Sequence, residues 1–292
     1  MLKKVKLGRT GLLVTQLGFG AMELRGPKVW SGRPVADEQA ERVLNAVLDA
    51  GINFIDTSPD YGSSEELIGK HISHRRREFF LATKCGCNPA ERNHIWTRDQ
   101  LLKNIRTSLE RMKTDHVDIL QLHNPKPEDV RAAGLVEVLR DIQAKGLARY
   151  ISISTTLPHI SEFLAMGAFD TMQIPYSCLQ PEHHEAITQA AQKGTGIIIR
   201  GGIGMGGPGS AVPQRVPMQV WEKAGLAELC GDMEPAELIL RYTLSHPHCH
   251  TTIVGTLNPD HSAKNLQAAS KGPLPADLYA EIRRRVVAAL AT

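Results

Sequence analysis

The stretch Leu101-Leu-Lys-Asn-Ile-Arg-Thr-Ser-Leu-Glu-Arg-Met112 sets Leu101, Ile105, Leu109 and Met112 on one helix face, and Val117-Asp-Ile-Leu-Gln-Leu122 follows as a short apolar run. A second helical stripe comes next, on Leu135, Leu139 and Ile142, and Tyr150 to Ile153 is again strand-like. Strand and helix alternate, which demands parallel pairing through crossover connections. Working outward, similar runs recur at Leu17 to Gly20, Asn53 to Ile55, Phe79 to Thr83, Thr171 to Ile174, Gly196 to Ile199 and Thr252 to Val254, giving eight candidate strands. Eight such units can close into a (β/α)8 barrel. A doubly wound open sheet is the main alternative. It would carry a glycine-rich phosphate loop after its first strand, and Gly18 and Gly20 followed by Ala21, Met22 and Glu23 do not form GxGxxG.

The segments flanking the barrel units are also legible. Val5-Lys-Leu-Gly-Arg-Thr-Gly-Leu-Leu-Val14 reads as a hairpin turning around Gly8 to Gly11, suited to plugging the barrel floor. Pro273 and Pro275 precede a stripe of Leu278, Ile282, Val286 and Leu290, expected to pack as a final helix outside the barrel. Gly201-Gly-Ile-Gly-Met-Gly-Gly-Pro-Gly-Ser210 is too short to link domains, and its position suits a loop over a site. The expectation is one barrel domain spanning residues 1–292.

Composition excludes several function classes. With 42% apolar and 22% charged residues and a net charge of +3, the chain can bury a large core and offers no basic surface that would argue for nucleic acid. The basic N-terminus runs into Gly8, Arg9 and Thr10 rather than an apolar signal core, and no stretch reaches the ~20 apolar residues of a membrane span. A cytoplasmic protein without a membrane partner is expected. Five cysteines, an odd number, argue for reduced thiols, and Cys85 and Cys87 form a CxC without a second pair, read as packing or loop residues. The histidines of His183-His184 and His246-Pro-His-Cys-His250 invite a metal. Adjacent residues on a helix face different directions, and the second group precedes the eighth strand, so no functional metal is expected.

Parallel barrels place their active sites at the strand C-termini. Asp56, Lys84 and His123 each follow a strand there, and Tyr61 lies in the loop after Asp56, between Pro59 and Gly62. A phenol is a poor acid at neutral pH. A neighbouring Lys84 ammonium would lower its pKa, Asp56 would hold that ammonium in place, and His123 could donate a hydrogen bond to a carbonyl oxygen. Singly, each residue also reads as a strand-end cap or turn residue. Together on one rim they make a proton-donating set.

These residues stand in longer stretches: Leu7-Gly-Arg-Thr-Gly-Leu12, Leu17-Gly-Phe-Gly-Ala-Met22, Gly51-Ile-Asn-Phe-Ile-Asp-Thr-Ser-Pro-Asp-Tyr-Gly62, Glu65-Glu-Leu-Ile-Gly69, Thr83-Lys84, Val117-Asp-Ile-Leu-Gln-Leu-His123 and Gln173-Ile-Pro-Tyr-Ser177. In these the chain resembles the aldo-keto reductase family from end to end. The resemblance implies that Asp56, Tyr61, Lys84 and His123 form the family's tetrad, with Tyr61 as general acid. It also implies hydride transfer between a nicotinamide cofactor and the carbonyl of an aldehyde, ketone or sugar, in either direction. By the same likeness Gly20, Ala21 and Met22 pass beneath the ring beside Asp56, and Ser154, Thr155 and Gln173 hold the carboxamide, with Tyr176 in the same cofactor-side stretch. The loop of Gly201, Gly202, Ile203, Gly204 and Gly206 corresponds to the pyrophosphate clasp. Thr256, Asn258 and His261 would meet a 2′-phosphate and Asn265 the adenine, which implies NADPH or NADP+, with NADH possible.

One position departs from the pattern: Arg200 stands where many members stack an aromatic ring on the nicotinamide. A guanidinium there adds positive charge beside an oxidised ring, or turns toward the pyrophosphate or a substrate carboxylate. Trp30, Trp96 and Asn124 join Tyr61 and His123 as substrate-side residues. Two rival functions are an NADPH-binding regulator of the same fold and a metal-dependent barrel hydrolase. The compact N-terminus speaks against the first, and Lys84 and Tyr61, where ligands would be needed, against the second.

Overall fold

Apolar runs too short to bury themselves alone must pair, and here they pair in sequence order. The structure is a computed structural model that describes residues 2–204, 208 and 218–291. Its strands are β1 (Lys4–Lys6), β2 (Leu13–Thr15), β3 (Leu17–Gly20), β4 (Phe54–Asp56), β5 (Phe80–Cys85), β6 (Cys87–Asn88), β7 (Asn93–His94), β8 (Val117–His123), β9 (Ala148–Ser154), β10 (Thr171–Pro175), β11 (Gly196–Arg200) and β12 (Thr251–Val254). β3, β4, β5, β8, β9, β10, β11 and β12 pair in that order, all parallel, and β12 pairs with β3 to close the barrel. All eight expected strands are barrel strands.

The α-helices around the barrel are α1 (Asp37–Asp49), α2 (Ser64–His71), α3 (Arg98–Met112), α4 (Pro127–Ala132), α5 (Leu135–Ala144), α6 (Ile160–Met166), α7 (His184–Gln192), α8 (Met218–Lys223), α9 (Pro235–Leu244), α10 (Pro259–Ser270) and α11 (Ala276–Leu290). The stripe read on α3 is buried as expected, with Thr97 capping the helix by accepting from the Gln100 N–H. On α11 only Ile282 and Val286 are buried, while Leu290 at the frayed end is exposed. No helix among the described residues is long and apolar enough to cross a membrane.

The core has two parts. The larger lies between the barrel and its helices; the smaller gathers Leu7, Leu12 and Val14 of the N-terminal segment with Phe54, Ala82, Ile119 and Ile198 of the barrel. β1 and β2 pair antiparallel, and the turn between them sits directly on β11: a Cβ on Gly8, at φ +50°, would lie 2.3 Å from the Gly196 nitrogen. The hairpin therefore closes the N-terminal end of the barrel. Above the apolar layer the inward positions turn polar, which sets the chemistry at the opposite end.

A second hairpin, β6–β7, has no counterpart in the sequence reading. It pairs Cys87 with His94 across two short strands in the loop between β5 and α3. Gly86, at φ +87°, lets this loop turn under Trp96, whose ring would lie 1.9 Å from a Cβ at that position.

Candidate active site

Side chains alternate along a strand, so a polar residue two positions from an inward-facing one shares its face. Gln121 and His123 on β8 are such a pair, and with Asp56, Lys84 and Gln173 they build the floor of a polar chamber. The Lys84 Nζ donates to Asp56 Oδ2 at 2.7 Å and to the Thr57 carbonyl at 2.8 Å. The other oxygen, Asp56 Oδ1, accepts from the amides of Gln121 at 2.7 Å and Gln173 at 2.8 Å. Burial is the largest single influence and works to lower the Lys84 pKa, but Asp56 and Tyr61 together outweigh it and the pKa is raised, so the ammonium stays charged in the interior.

Tyr61 reaches the chamber from the loop after β4, its ring centroid 4.7 Å from Lys84 Nζ. Its ring also lies edge-on to Trp30 at 6.0 Å and to His123 at 6.1 Å. The four residues expected on one rim are therefore gathered in one place. Burial raises the Tyr61 pKa above its ordinary value, more than the charges of Lys84 and Arg200 lower it. The net lowering expected from Lys84 is thus overturned for the resting site by desolvation.

His123 is held by residues the sequence reading did not single out. Its Nδ1 lies 2.9 Å from Asp60 Oδ2, 3.3 Å from Cys87 Sγ and 3.4 Å from Ser58 Oγ. The same Asp60 oxygen meets His94 Nε2 at 3.1 Å. Burial pushes the His123 pKa down to about 4, against the upward pull of Asp60, so the ring is neutral. Burial works to raise the Asp60 carboxyl, yet the hydrogen bonds from His123 and His94 hold it well below the usual carboxylate range. A carboxylate only accepts, so its bond to Nδ1 puts the ring proton there. Nε2 then carries a lone pair, and it donates to a carbonyl only when Nδ1 gives up its proton. Of the CxC pair, Cys85 packs against the Gln121 carbonyl as expected, whereas Cys87 belongs to this cluster.

The expected cofactor positions divide. Gly20 pairs with Asp56 at adjoining strand ends, and Ala21 and Met22 continue into a 3-10 turn whose Ala21 carbonyl accepts from Ser64. Ser154 Oγ donates weakly to Asn124 Oδ1 at 3.3 Å and to Gln173 Oε1 at 3.4 Å. Thr155 is buried beside them, its N–H bonded to the Gln173 carbonyl. The Gln173 NH2 is committed to Asp56, leaving Ser154 and Asn124 as the freer pair for an amide. Tyr176 stands apart: its hydroxyl contacts His184 Nδ1 at 3.1 Å, Tyr242 at 3.3 Å and Tyr279 at 3.4 Å, in a buried cluster among α7, α9 and α11. Its side chain belongs to packing outside the barrel, because strand alternation turns it away from Gln173.

Arg200 ends β11, where its charge is felt by Tyr61, Asp56 and His183, and its Nε is buried without a hydrogen-bond partner. A buried guanidinium N–H needs an acceptor, which a nicotinamide or phosphate oxygen would provide. Gly201 and Gly204 follow at positive φ, with Gly202 anchored by Thr243 and Ile203 half-buried; Gly206 lies outside the described residues. Beyond β12, Asn258 caps α10 by accepting from the Asp260 N–H at 2.9 Å, and Thr256 Oγ1 accepts from the Asn258 N–H at 3.0 Å. These side chains shape the start of α10, with His261 exposed in its first turn and Asn265 one turn on. Trp96 stacks on His94 at 5.4 Å, so it supports the β6–β7 hairpin.

A parallel barrel that gathers tyrosine, lysine, aspartate and histidine at one rim has the build of a (β/α)8 enzyme. The family model for the Aldo/keto reductase family matches residues 16–286, and the chain belongs to this family of oxidoreductases. It is 28% identical over 285 residues to L-galactose dehydrogenase of Arabidopsis thaliana, covering 91% of this chain and 87% of that one. It is 30% identical over 199 residues to the NADH-specific methylglyoxal reductase of Escherichia coli (strain K12), covering 61% and 60%. Among solved structures it resembles the holo form of aldo-keto reductase AKR11C1 from Bacillus halodurans, with a TM-score of 0.83, 25% identity and coverage of 98% and 96%.

Proposed function

We propose that the protein is an NADP-dependent reductase of aldehydes, ketones or sugars, with Tyr61 as general acid. The observation that carries this reading is the buried Lys84–Asp56 pair, 2.7 Å long, set against the Tyr61 ring. A bound nicotinamide would supply the hydride in reduction and accept it in the reverse oxidation. Ser154 and Asn124 would hold its carboxamide, and Arg200 with the backbone N–H groups after Gly201 would hold its phosphates. The start of α10, with His261 beside a helix N-terminus, suits a further phosphate and favours NADPH over NADH.

Within this frame Tyr61 protonates the carbonyl oxygen as negative charge grows there. An alkoxide is a much stronger base than a phenolate, so even a phenol whose pKa burial has raised gives up its proton at that moment. Lys84 and Arg200 then stabilise the phenolate, and Asp56 keeps the ammonium charged and fixed. His123 donates to the substrate oxygen through Nε2 in the tautomer whose ring proton has left Nδ1, and Trp30 lines the entrance beside Tyr61. The substrate is a small carbonyl compound, and no nucleic acid or membrane takes part.

The test is loss of near-ultraviolet nicotinamide absorbance with an activated aromatic aldehyde, with NADPH and NADH run in parallel. Turnover favouring NADPH is expected. In Tyr61→Phe, kcat should fall by about 10²–10⁴-fold with cofactor affinity retained, the usual worth of a positioned general acid. A Tyr61→Phe protein turning over at the wild-type rate would end this assignment.

A further inference from the structure

Beside the Lys84–Asp56 pair, a group of metal-ligating side chains converges. Asp60 Oδ2, Cys87 Sγ, His94 Nε2 and His123 Nδ1 all lie within 4.8 Å of one another, and among the described residues no other group of three or more histidine, cysteine or acidic side chains does so. The four come from three places in the fold: the loop after β4, the end of β8, and the cross-strand pair Cys87–His94 of the β6–β7 hairpin. We propose that they form a binding site for one zinc-class transition-metal ion, in which the tetrad histidine is itself a ligand.

The donor set selects the ion. One thiolate, two imidazoles and one carboxylate suit zinc or its close neighbours, whereas magnesium and calcium prefer all-oxygen sites. With bonds of about 2.0–2.3 Å, a tetrahedral ion spaces its ligand atoms roughly 3.3–3.7 Å apart. Three of the pairs stand at 2.9 Å for His123 with Asp60, 3.1 Å for His94 with Asp60 and 3.3 Å for Cys87 with His123, and all four ligand atoms lie within 4.8 Å of one another, so side-chain shifts of about an ångström or less create the site. Charge matches too. A thiolate and a carboxylate neutralise a divalent ion, and Asp60, nine-tenths buried, has no lysine or arginine bridge among the described residues.

The surroundings hold the ligands in place. Gln100 and Asn104 of α3 both donate to the Cys87 carbonyl, the second at 2.9 Å, and Ser58 Oγ lies 3.5 Å from Cys87 Sγ. Trp96 stacks on His94 with only 12° between the ring planes, fixing the direction of its nitrogens. Four protein ligands close the coordination sphere, so the ion acts by positioning rather than by activating water. Binding displaces the thiol proton of Cys87 to solvent and moves the single ring proton of neutral His123 off Nδ1, by exchange with solvent, to Nε2. Nε2 then becomes a fixed donor toward a substrate oxygen. The site stands on ligand geometry alone; only this last consequence rests on the reductase reading.

Metal binding is measured without turnover, so the two readings fail separately. The full-length protein is kept reduced, stripped with a chelator and titrated with cobalt(II), then with zinc. One equivalent of cobalt should give a thiolate-to-metal charge-transfer band and the strong visible bands of tetrahedral coordination, both lost on adding zinc. Cys87→Ser should abolish the charge-transfer band. His94→Gln, on the solvent-facing side of the hairpin, should keep the band while weakening affinity at least about ten-fold. Circular dichroism confirms that both variants are folded. Absence of the thiolate band from the wild-type protein, or its survival in Cys87→Ser, would overturn the proposal and leave the four residues a hydrogen-bond network.

Discussion

Arg200 stands where the family resemblance expects an aromatic ring, and its burial makes the consequence specific. Desolvation lowers its pKa by more than Tyr61 and Asp56 raise it, yet a guanidinium starts so high that it remains a cation. An oxidised nicotinamide is positively charged and a reduced one is neutral, so a guanidinium beside the ring penalises the oxidised form. Replacing it by a neutral ring, Arg200→Phe, is expected to tighten oxidised cofactor relative to reduced by roughly three- to ten-fold, about 1 kcal/mol of charge repulsion. Fluorescence titration with both forms reads that ratio, and an unchanged ratio would place the guanidinium away from the ring. At this scale Asp56, Tyr61, Lys84 and His123 were legible because strand ends and one turn mark them. Asp60 and Cys87 were not: each looks ordinary in its own stretch, and only the fold sets them around His123. Gln121 did leave a signal, a lone amide two residues before His123 on the same strand face.

The elements were legible wherever periodicity is strong. Eight strands and the stripe of α3 follow from spacing, because a parallel barrel buries both faces of each strand and leaves continuous apolar runs. The β6–β7 hairpin was invisible, since two-residue strands carry no period, and its polar residues read as loop. The N-terminal hairpin was visible through its glycines, and its role is measurable. Leu7 is fully buried against Phe54, Ala82 and Ile119 at the closed end of the barrel, on the opposite side from Tyr61. Leu7→Ala should cost about 2–5 kcal/mol through lost burial and the cavity left behind. Melting temperature should fall by roughly 5–15 °C. Turnover at low temperature should stay within a factor of about two, because the plug packs on the end of the barrel opposite Tyr61; a large loss of kcat with unchanged stability would mean that the floor transmits strain to the rim.

Across the whole molecule, three histidines outside the site share one arrangement. His183 Nε2 accepts from the Leu157 N–H at 3.5 Å, His246 Nδ1 from the His248 N–H at 3.1 Å, and His250 Nδ1 from the Ile197 N–H at 3.0 Å. A ring nitrogen that accepts cannot also carry a proton, so each ring is tied to its neutral form. Burial pushes His183 and His250 down to about 4 and His246 to about 3, from an ordinary 6.5, with smaller contributions from the charge of Arg200 at His183 and from neighbouring imidazoles, His184 at His246 and His248 at His250. The sign follows: between pH 6.5 and 4 the unfolded chain binds more protons than the folded one, so stability rises with pH through that window. It is fully present above 6.5 and is lost as the pH falls toward 4. At about pH 5 each histidine should cost on the order of 1–2 kcal/mol, several together against a usual total of ~5–15 kcal/mol. Urea denaturation near neutrality and near pH 5 should therefore show a much lower midpoint in acid with the slope unchanged. His250→Gln, whose amide oxygen can still accept from Ile197, should remove about a quarter of that difference or less, because His123 is pushed down to about 4 as well. Equal midpoints at the two pH values would mean that these rings take up protons without leaving the fold.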